Sequence, residues 1–233
     1  MNNWLSNNYI ELFGALTGII YVFLEIRQTI WLWPVGLITS AVYVWIFFSS
    51  KLYADMSLQA YYVIISILGW YWWLKGGVQR AKSGEHGAGA EKQGLPENNS
   101  FEGGQGDVSA VDKEKLQVTR LKTKTGFLLS VIFVFLYVVM WLTLSRLTDS
   151  PVPGWDAFLT SLSIIATWML ARKIYEHWYL WIVVNIVSFI LYFTRGLYPT
   201  VVLYIVYATM SFIGLKAWKS TIKDIADPRS DNL

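Results

Sequence analysis

Seven apolar stretches, each about 20 residues long, restrict the fold of this chain more than any other feature of its sequence. They are residues 9–26, 31–50, 55–74, 126–147, 155–171, 178–194 and 197–217. A helix rises 1.5 Å per residue, so roughly 20 apolar residues cross the ~30 Å hydrocarbon layer of a bilayer. Only 15% of the 233 residues are charged, whereas about a quarter are charged in soluble domains. We therefore predict an all-α polytopic membrane protein with seven transmembrane helices.

The positive charges predict the orientation of these helices. The chain has 19 Lys and Arg residues, and with the N-terminus outside, all except Lys51, Arg146 and Arg195 lie on one side of the membrane. Cytoplasmic loops of membrane proteins carry such an excess of positive charge. We therefore expect the N-terminus outside and the C-terminal tail, residues 219–233, in the cytoplasm.

The segment between the third and fourth stretches differs in composition from the rest. Residues 80–112 are rich in Gly, Glu, Asn and Ser with almost no aromatic residues, so they cannot bury enough apolar area to offset the entropy of ordering. The next residues, KEKLQVTRLKTK (113–124), are basic and would rest against anionic lipid headgroups. We predict that residues 76–125 form a disordered, basic cytoplasmic linker whose partner is the lipid bilayer and not nucleic acid.

The chain also matches itself when it is displaced by 145 positions. The identical pairs include Arg27 and Arg172, Trp33 and Trp178, Tyr62 and Tyr207, Gly69 and Gly214, and Trp73 and Trp218. We predict two three-helix repeats, 9–75 and 155–218, with the helix 126–147 between them. The first helices of the two repeats are four crossings apart, so this 3+1+3 arrangement is parallel, and transporters of this kind bind substrate between the repeats. A duplication that only builds a stable bundle is the alternative.

The sixth stretch carries polar and aromatic side chains on one face. Trp178, Trp181, Asn185, Ser188 and Tyr192 follow one another at spacings of 3, 4, 3 and 4, which places them on one side of a helix. The amide of Asn185, about midway through the span, is costly there unless it is hydrogen-bonded. A bound ligand is the preferred partner for Asn185, and interhelical hydrogen bonding is the alternative.

Three further stretches carry similar faces and supply additional candidates. These are Ser40 and Tyr43 in the second stretch, Gln59 and Tyr62 in the third, and Tyr204 and Tyr207 in the seventh. Indole and phenol rings stack on planar rings and attract cations, and amides both donate and accept hydrogen bonds. We predict a site for a flat, polar, uncharged or cationic small molecule. For tryptophans near the span ends, the interfacial aromatic belt is the alternative.

Several other chemistries lack support in the sequence. There is no cysteine, and the two histidines, His86 and His177, belong to no metal-ligand pattern. No Walker-type phosphate loop is present, and acidic residues such as Glu11 and Glu25 lie toward span ends, so no ion relay is evident. We expect no metal, no cofactor, no enzymatic activity and a passive transport mechanism. A membrane enzyme or sensor is the alternative.

Two segments closely resemble the PnuC family of vitamin transporters. They are LYADMSLQAYYVIISILGWYWW (52–73) and WDAFLTSLSIIATWMLARKIYEHWYLWIVVNIVSFILYF (155–193). The resemblance implies a fold similar to the SWEET sugar transporters, a homotrimer and a place in the bacterial inner membrane. It also implies facilitated diffusion of nicotinamide riboside, which is trapped by phosphorylation in the cell, with Trp178, Trp181 and Asn185 at the substrate. Relatives carry thiamine or riboflavin, and thiamine is the alternative cargo.

Overall fold

The computed structural model describes residues 2–49, 53–88, 116–148, 151–196 and 198–226, and every regular element within them is a helix. The helices are α1 (Asn2–Ile26), α2 (Leu32–Ser49), α3 (Tyr53–Ala88), α4 (Thr123–Leu147), α5 (Pro153–Ala171), α6 (His177–Thr194) and α7 (Tyr198–Ala226). The predicted all-helical fold with seven helices is confirmed. Among the described residues, α2, α4, α5, α6 and most of α7 are long and apolar enough to cross a membrane.

The predicted linker, residues 76–125, contains structured residues at both of its ends. α3 continues as a helix to Ala88, because each further residue adds a backbone hydrogen bond once a helix has formed. At the other end, the backbone of Thr119 exchanges hydrogen bonds of 2.9 and 3.0 Å with Lys173 and Tyr175, and Val118 is buried. The central part, 89–115, lies outside the described residues, and its disorder stays a prediction.

The displacement of 145 residues also relates the local geometry of the two halves. α2 begins at Leu32 and α6 at His177, which are 145 residues apart. In the loops before these helices, Gln28 (φ 52°) and Lys173 (φ 50°) both adopt the left-handed conformation, which is uncommon for residues other than glycine. Two such residues at equivalent positions support the predicted repeat, whose symmetry axis stays a prediction.

Two pairs of tryptophans belong to the core where the helices pack together. Trp33 of α2 meets Trp73 of α3 edge-to-face, with ring centroids 5.4 Å apart. Trp178 of α6 meets Trp218 of α7 in the same way at 5.9 Å. Such pairs contribute about 0.5–1.5 kcal/mol beyond their buried area. They join α2 to α3 and α6 to α7, while α1 packs on α7 and α3 on α5, which leaves a space among these six helices.

Candidate functional site

A cavity of about 480 Å³ lies among all of the helices except α4. Small-molecule sites in proteins typically have volumes of roughly 300–1,000 Å³. Nine of the eleven residues that the sequence places on four helix faces line this cavity. They are Ser40, Tyr43, Gln59, Tyr62, Trp178, Trp181, Asn185, Tyr204 and Tyr207. The structure therefore brings together side chains from four helices that are far apart in the chain.

Ser188 and Tyr192 of the predicted α6 face do not line the cavity. Ser188 is buried and contacts the phenol of Tyr204. Tyr204 also stacks on Tyr192, with ring centroids 5.2 Å apart. The cavity wall at this level is therefore formed by Tyr204, and the two α6 side chains beyond Asn185 support that tyrosine from behind.

Trp178 is held in place by three neighbours. Its indole lies 4.7 Å from the His177 ring and 5.9 Å from the Trp218 ring, measured between centroids. It also packs against Gly214 of α7, where a Cβ atom would overlap the indole. Trp178 is only 1% exposed, so it forms a rigid part of the wall and does not belong to a loosely packed aromatic belt.

Two indole N–H groups in the cavity wall lack a hydrogen-bond acceptor. The Nε1 atoms of Trp178 and Trp181 are both buried and have no partner among the described atoms. Buried donors in proteins are nearly always paired, because an unpaired donor has lost its bonds to water. The Nε1 atom of Trp33 is also unpartnered, but Trp33 does not line the cavity. Trp178 and Trp181 are therefore the lining residues whose indole N–H groups lack an acceptor among the described atoms.

Asn185 lines the cavity and also joins two helices. Its Nδ2 atom donates a 3.0 Å hydrogen bond to Oγ of Ser211 on α7. Ser211 in turn donates to the backbone carbonyl of Tyr207 at 2.8 Å. An asparagine has two amide hydrogens and a carbonyl oxygen, so one hydrogen and the oxygen remain for a ligand. The two interpretations of Asn185 that the sequence left open are compatible.

Two phenols lie against glycines of α1. A Cβ atom at Gly14 would overlap the hydroxyl of Tyr43, and one at Gly18 would overlap the hydroxyl of Tyr207. The absence of a side chain at these two positions therefore allows phenols from α2 and α7 to approach the α1 backbone. These contacts narrow the cavity between α1 and its neighbours.

α1 is the part of the site that the sequence analysis missed. Gly14, Gly18, Tyr21 and Glu25 line the cavity at spacings of 4, 3 and 4, which is the helical periodicity that identified the α6 face. The sequence therefore contained the spacing that indicates this face of α1, although two of the four residues are glycines. The cavity wall also includes Thr17, Val22, Gly36, Thr39, Ile65, Ser66, Thr167 and Ser211.

The charge of the cavity wall is carried by one acidic residue. Among the described residues that line the cavity, Glu25 is the one carboxylate, and none is Lys or Arg. No group of three or more His, Cys, Asp or Glu that could bind a metal occurs in the described part of the chain. The wall thus combines aromatic faces, amides, hydroxyls and a carboxyl group, which suits an uncharged or cationic organic molecule.

The chain is similar to bacterial vitamin transporters over most of its length. The family model described as nicotinamide mononucleotide transporter matches residues 8–220. The nicotinamide riboside transporter PnuC of Escherichia coli (strain K12) is 24% identical over 218 residues, which cover 93% of this chain and 87% of PnuC. The riboflavin/roseoflavin transporter RibM of Streptomyces davaonensis is 24% identical over 226 residues, which cover 93% of this chain and 92% of RibM.

A solved structure has the same fold. The crystal structure of the vitamin B3 transporter PnuC aligns with this chain at a TM-score of 0.64 and 23% sequence identity. The alignment covers 94% of this chain and 84% of that one. The likeness in fold therefore extends over most of the chain.

Proposed function

This chain belongs to the nicotinamide mononucleotide transporter family, which includes PnuC, and on that basis we propose that it carries nicotinamide riboside across the bacterial inner membrane. As a member, it is a multi-pass membrane protein that transports a vitamin-like small molecule. The name of a relative, PnuC of E. coli, specifies nicotinamide riboside. The identity of the cargo, the passive mechanism and the orientation are parts of the proposal.

The unpartnered indole N–H groups of Trp178 and Trp181 are the observation that carries this proposal. Nicotinamide riboside has a carboxamide and ribose hydroxyls, whose oxygens accept hydrogen bonds. Its pyridinium ring is flat and positively charged, so it can stack on indoles and phenols. The free amide hydrogen and oxygen of Asn185 would bond to the same polar groups.

The charge of the cavity favours the riboside over its phosphorylated form. A phosphate group requires cationic side chains or backbone N–H groups to replace its water, and no Lys or Arg is among the described lining residues. Glu25 would repel a phosphate if its carboxyl group were ionised. We therefore assign the unphosphorylated riboside as cargo, although the family description names the mononucleotide.

The proposed mechanism is facilitated diffusion. The sequence has no phosphate-binding loop for ATP hydrolysis. Net uptake by a passive carrier therefore needs another driving process. Phosphorylation of the riboside by a cytosolic enzyme would supply it, because the negatively charged phosphate of the product has no Lys or Arg partner in the described cavity wall. We propose further that the N-terminus lies outside, that the C-terminus is cytoplasmic, and that the chain assembles as a homotrimer.

Calorimetric titration of the detergent-purified protein tests the cargo. Nicotinamide riboside, thiamine and nicotinamide mononucleotide are titrated separately, and uptake of each is then measured in proteoliposomes. We expect binding and uptake of nicotinamide riboside, with the mononucleotide weaker by tenfold or more, roughly the cost of a phosphate group without cationic partners. Binding of thiamine alone would keep the fold and mechanism but replace the cargo. Absence of uptake for every vitamin would overturn the proposal.

A further inference from the structure

Glu25 and His177 form a buried pair at one end of the cavity. Nε2 of His177 lies 3.0 Å from Oε1 of Glu25, and the two side chains are 0% and 2% exposed. The pair connects α1 to α6, and Trp218 of α7 donates a 3.1 Å hydrogen bond to the backbone carbonyl of Glu25. The ring of His177 also packs on Trp178, with centroids 4.7 Å apart. A carboxyl group in the cavity wall is thus linked to the indole that we place beside the substrate.

The geometry requires the pair to hold a proton. Nδ1 of His177 lies 2.7 Å from the backbone oxygen of Ile174, which can only accept, so Nδ1 carries a hydrogen. The 3.0 Å contact between Nε2 and Glu25 needs a second hydrogen, on either the ring or the carboxyl group. In both cases the pair is neutral as a whole. Loss of that hydrogen would leave one negative charge at the cavity wall.

The other half of the chain shows that packing does not require a polar pair here. The residues displaced by 145 from Glu25 and His177 are Leu170 and Leu32. Both leucines are completely buried and belong to the same apolar cluster. Buried ion pairs are often no more stabilising than apolar residues of similar volume. Neither leucine lines the cavity, whereas Glu25 of the polar pair does.

We propose that Glu25, released from His177, is the residue that selects a cationic substrate over its uncharged counterpart. This proposal rests on the proposed function, because the pyridinium ring of nicotinamide riboside is the cation concerned. A cation beside Glu25 favours the state in which the shared proton has left and the carboxylate faces the ligand. Proton and substrate therefore compete for the same carboxylate, and binding of the cation releases protons.

Among the described residues near the pair, no other charged side chain lines the cavity. On α1, Tyr21 lies one turn before Glu25 and also lines the cavity. In the loop before α6, Nζ of Lys173 lies over the ring of Trp73 at 4.2 Å. Glu176 accepts a 2.8 Å hydrogen bond from the backbone N–H of Leu121 and does not line the cavity. The remaining titratable groups in the described cavity wall are phenols.

The test compares nicotinamide riboside with its reduced form, dihydronicotinamide riboside, whose ring is uncharged. Both are titrated calorimetrically into the wild-type protein, Glu25→Gln and the control Glu176→Gln, in two buffers that differ in protonation enthalpy. We expect Glu25→Gln to weaken binding of the cationic form about tenfold or more and to leave the reduced form within about twofold. Wild type and Glu176→Gln should release protons when the cationic form binds, and Glu25→Gln should release none.

A second variant allows the proposal to be tested even if Glu25→Gln does not fold. Glu25→Leu combined with His177→Leu copies the Leu170 and Leu32 pair and should unfold at a temperature no lower than wild type. It should also lose the preference for the cation and the proton release.

The possible results separate the two proposals. An unchanged ratio of the two affinities in both Glu25 variants would overturn this inference while leaving the proposed cargo intact. Failure of the wild-type protein to bind either form would overturn the proposed cargo and this inference with it.

Discussion

At the scale of single residues, the buried indole donors of the cavity are the groups whose function is easiest to isolate. Trp181 lines the cavity with an unpartnered N–H, and phenylalanine keeps an aromatic face while removing that donor. Trp33 has the same unpartnered N–H outside the cavity. The two tryptophans therefore provide a matched pair in which only one donor can reach a ligand.

We expect Trp181→Phe to weaken binding of nicotinamide riboside about fivefold, because one hydrogen bond contributes about 1 kcal/mol. Trp33→Phe should leave the affinity unchanged. Calorimetric titration of both variants measures the difference. Equal losses in the two variants would show that the indole N–H groups act through the packing of the helices and not through the ligand.

Asn185 is the residue for which binding and packing must be separated. We expect Asn185→Ala to weaken nicotinamide riboside binding about tenfold or more, since it removes bonds to buried groups of the ligand. It also removes the bond to Ser211, so the variant should unfold at a slightly lower temperature. Titration and thermal unfolding in detergent measure the two effects. A lower unfolding temperature with unchanged affinity would assign Asn185 to helix packing alone.

At the scale of elements, periodicity predicted which faces of α2, α3, α6 and α7 meet at the cavity. It succeeded because each face carries aromatic or amide side chains that contrast with the apolar residues around them. α1 was missed because Gly14 and Gly18 contribute space and not chemical groups. Their role depends on Tyr43 and Tyr207, which come from other helices. The contacts themselves are visible only in the packed structure, although the spacing of Gly14, Gly18, Tyr21 and Glu25 already indicates this face of α1.

The glycine and tryptophan contacts between neighbouring helices allow a test at this scale. We expect Gly214→Ala to displace Trp178, and Gly69→Ala to displace Trp33, because an added Cβ atom overlaps each indole. Overpacking costs about 1–3 kcal/mol, partly offset by the higher helix propensity of alanine, up to about 1 kcal/mol. Both variants should therefore unfold at lower temperatures in the same detergent.

Binding should distinguish the two glycine variants. Trp178 lines the cavity and Trp33 does not, so Gly214→Ala should weaken nicotinamide riboside binding and Gly69→Ala should not. Titration of both variants below their unfolding temperatures provides the comparison. Equal affinity in Gly214→Ala and wild type would mean that the position of the Trp178 indole does not affect the ligand.

At the scale of the whole molecule, the apolar runs predicted the number and order of the helices because the thickness of a bilayer fixes their length. The run 126–147, for example, became the helix Thr123–Leu147. Helix ends outside the apolar runs were less predictable. α3 extends to Ala88 through residues whose polarity resembles that of a loop. The thickness of the bilayer does not fix the length of this polar part, so its end could not be predicted.

The orientation of the molecule can be measured directly because the chain contains no cysteine. Arg195, in the loop after α6, and Ser220, near the end of α7, are both exposed, and a cysteine placed at either would be the sole thiol. The excess of Lys and Arg on one side predicts that residue 195 lies outside and residue 220 lies in the cytoplasm. In spheroplasts, a membrane-impermeant maleimide should label Arg195→Cys at once and Ser220→Cys only after permeabilisation. The reverse pattern would invert the proposed orientation. It would then place the end of the cavity occupied by Glu25 and His177 toward the outside, where the proton competing with the substrate would come from the external medium.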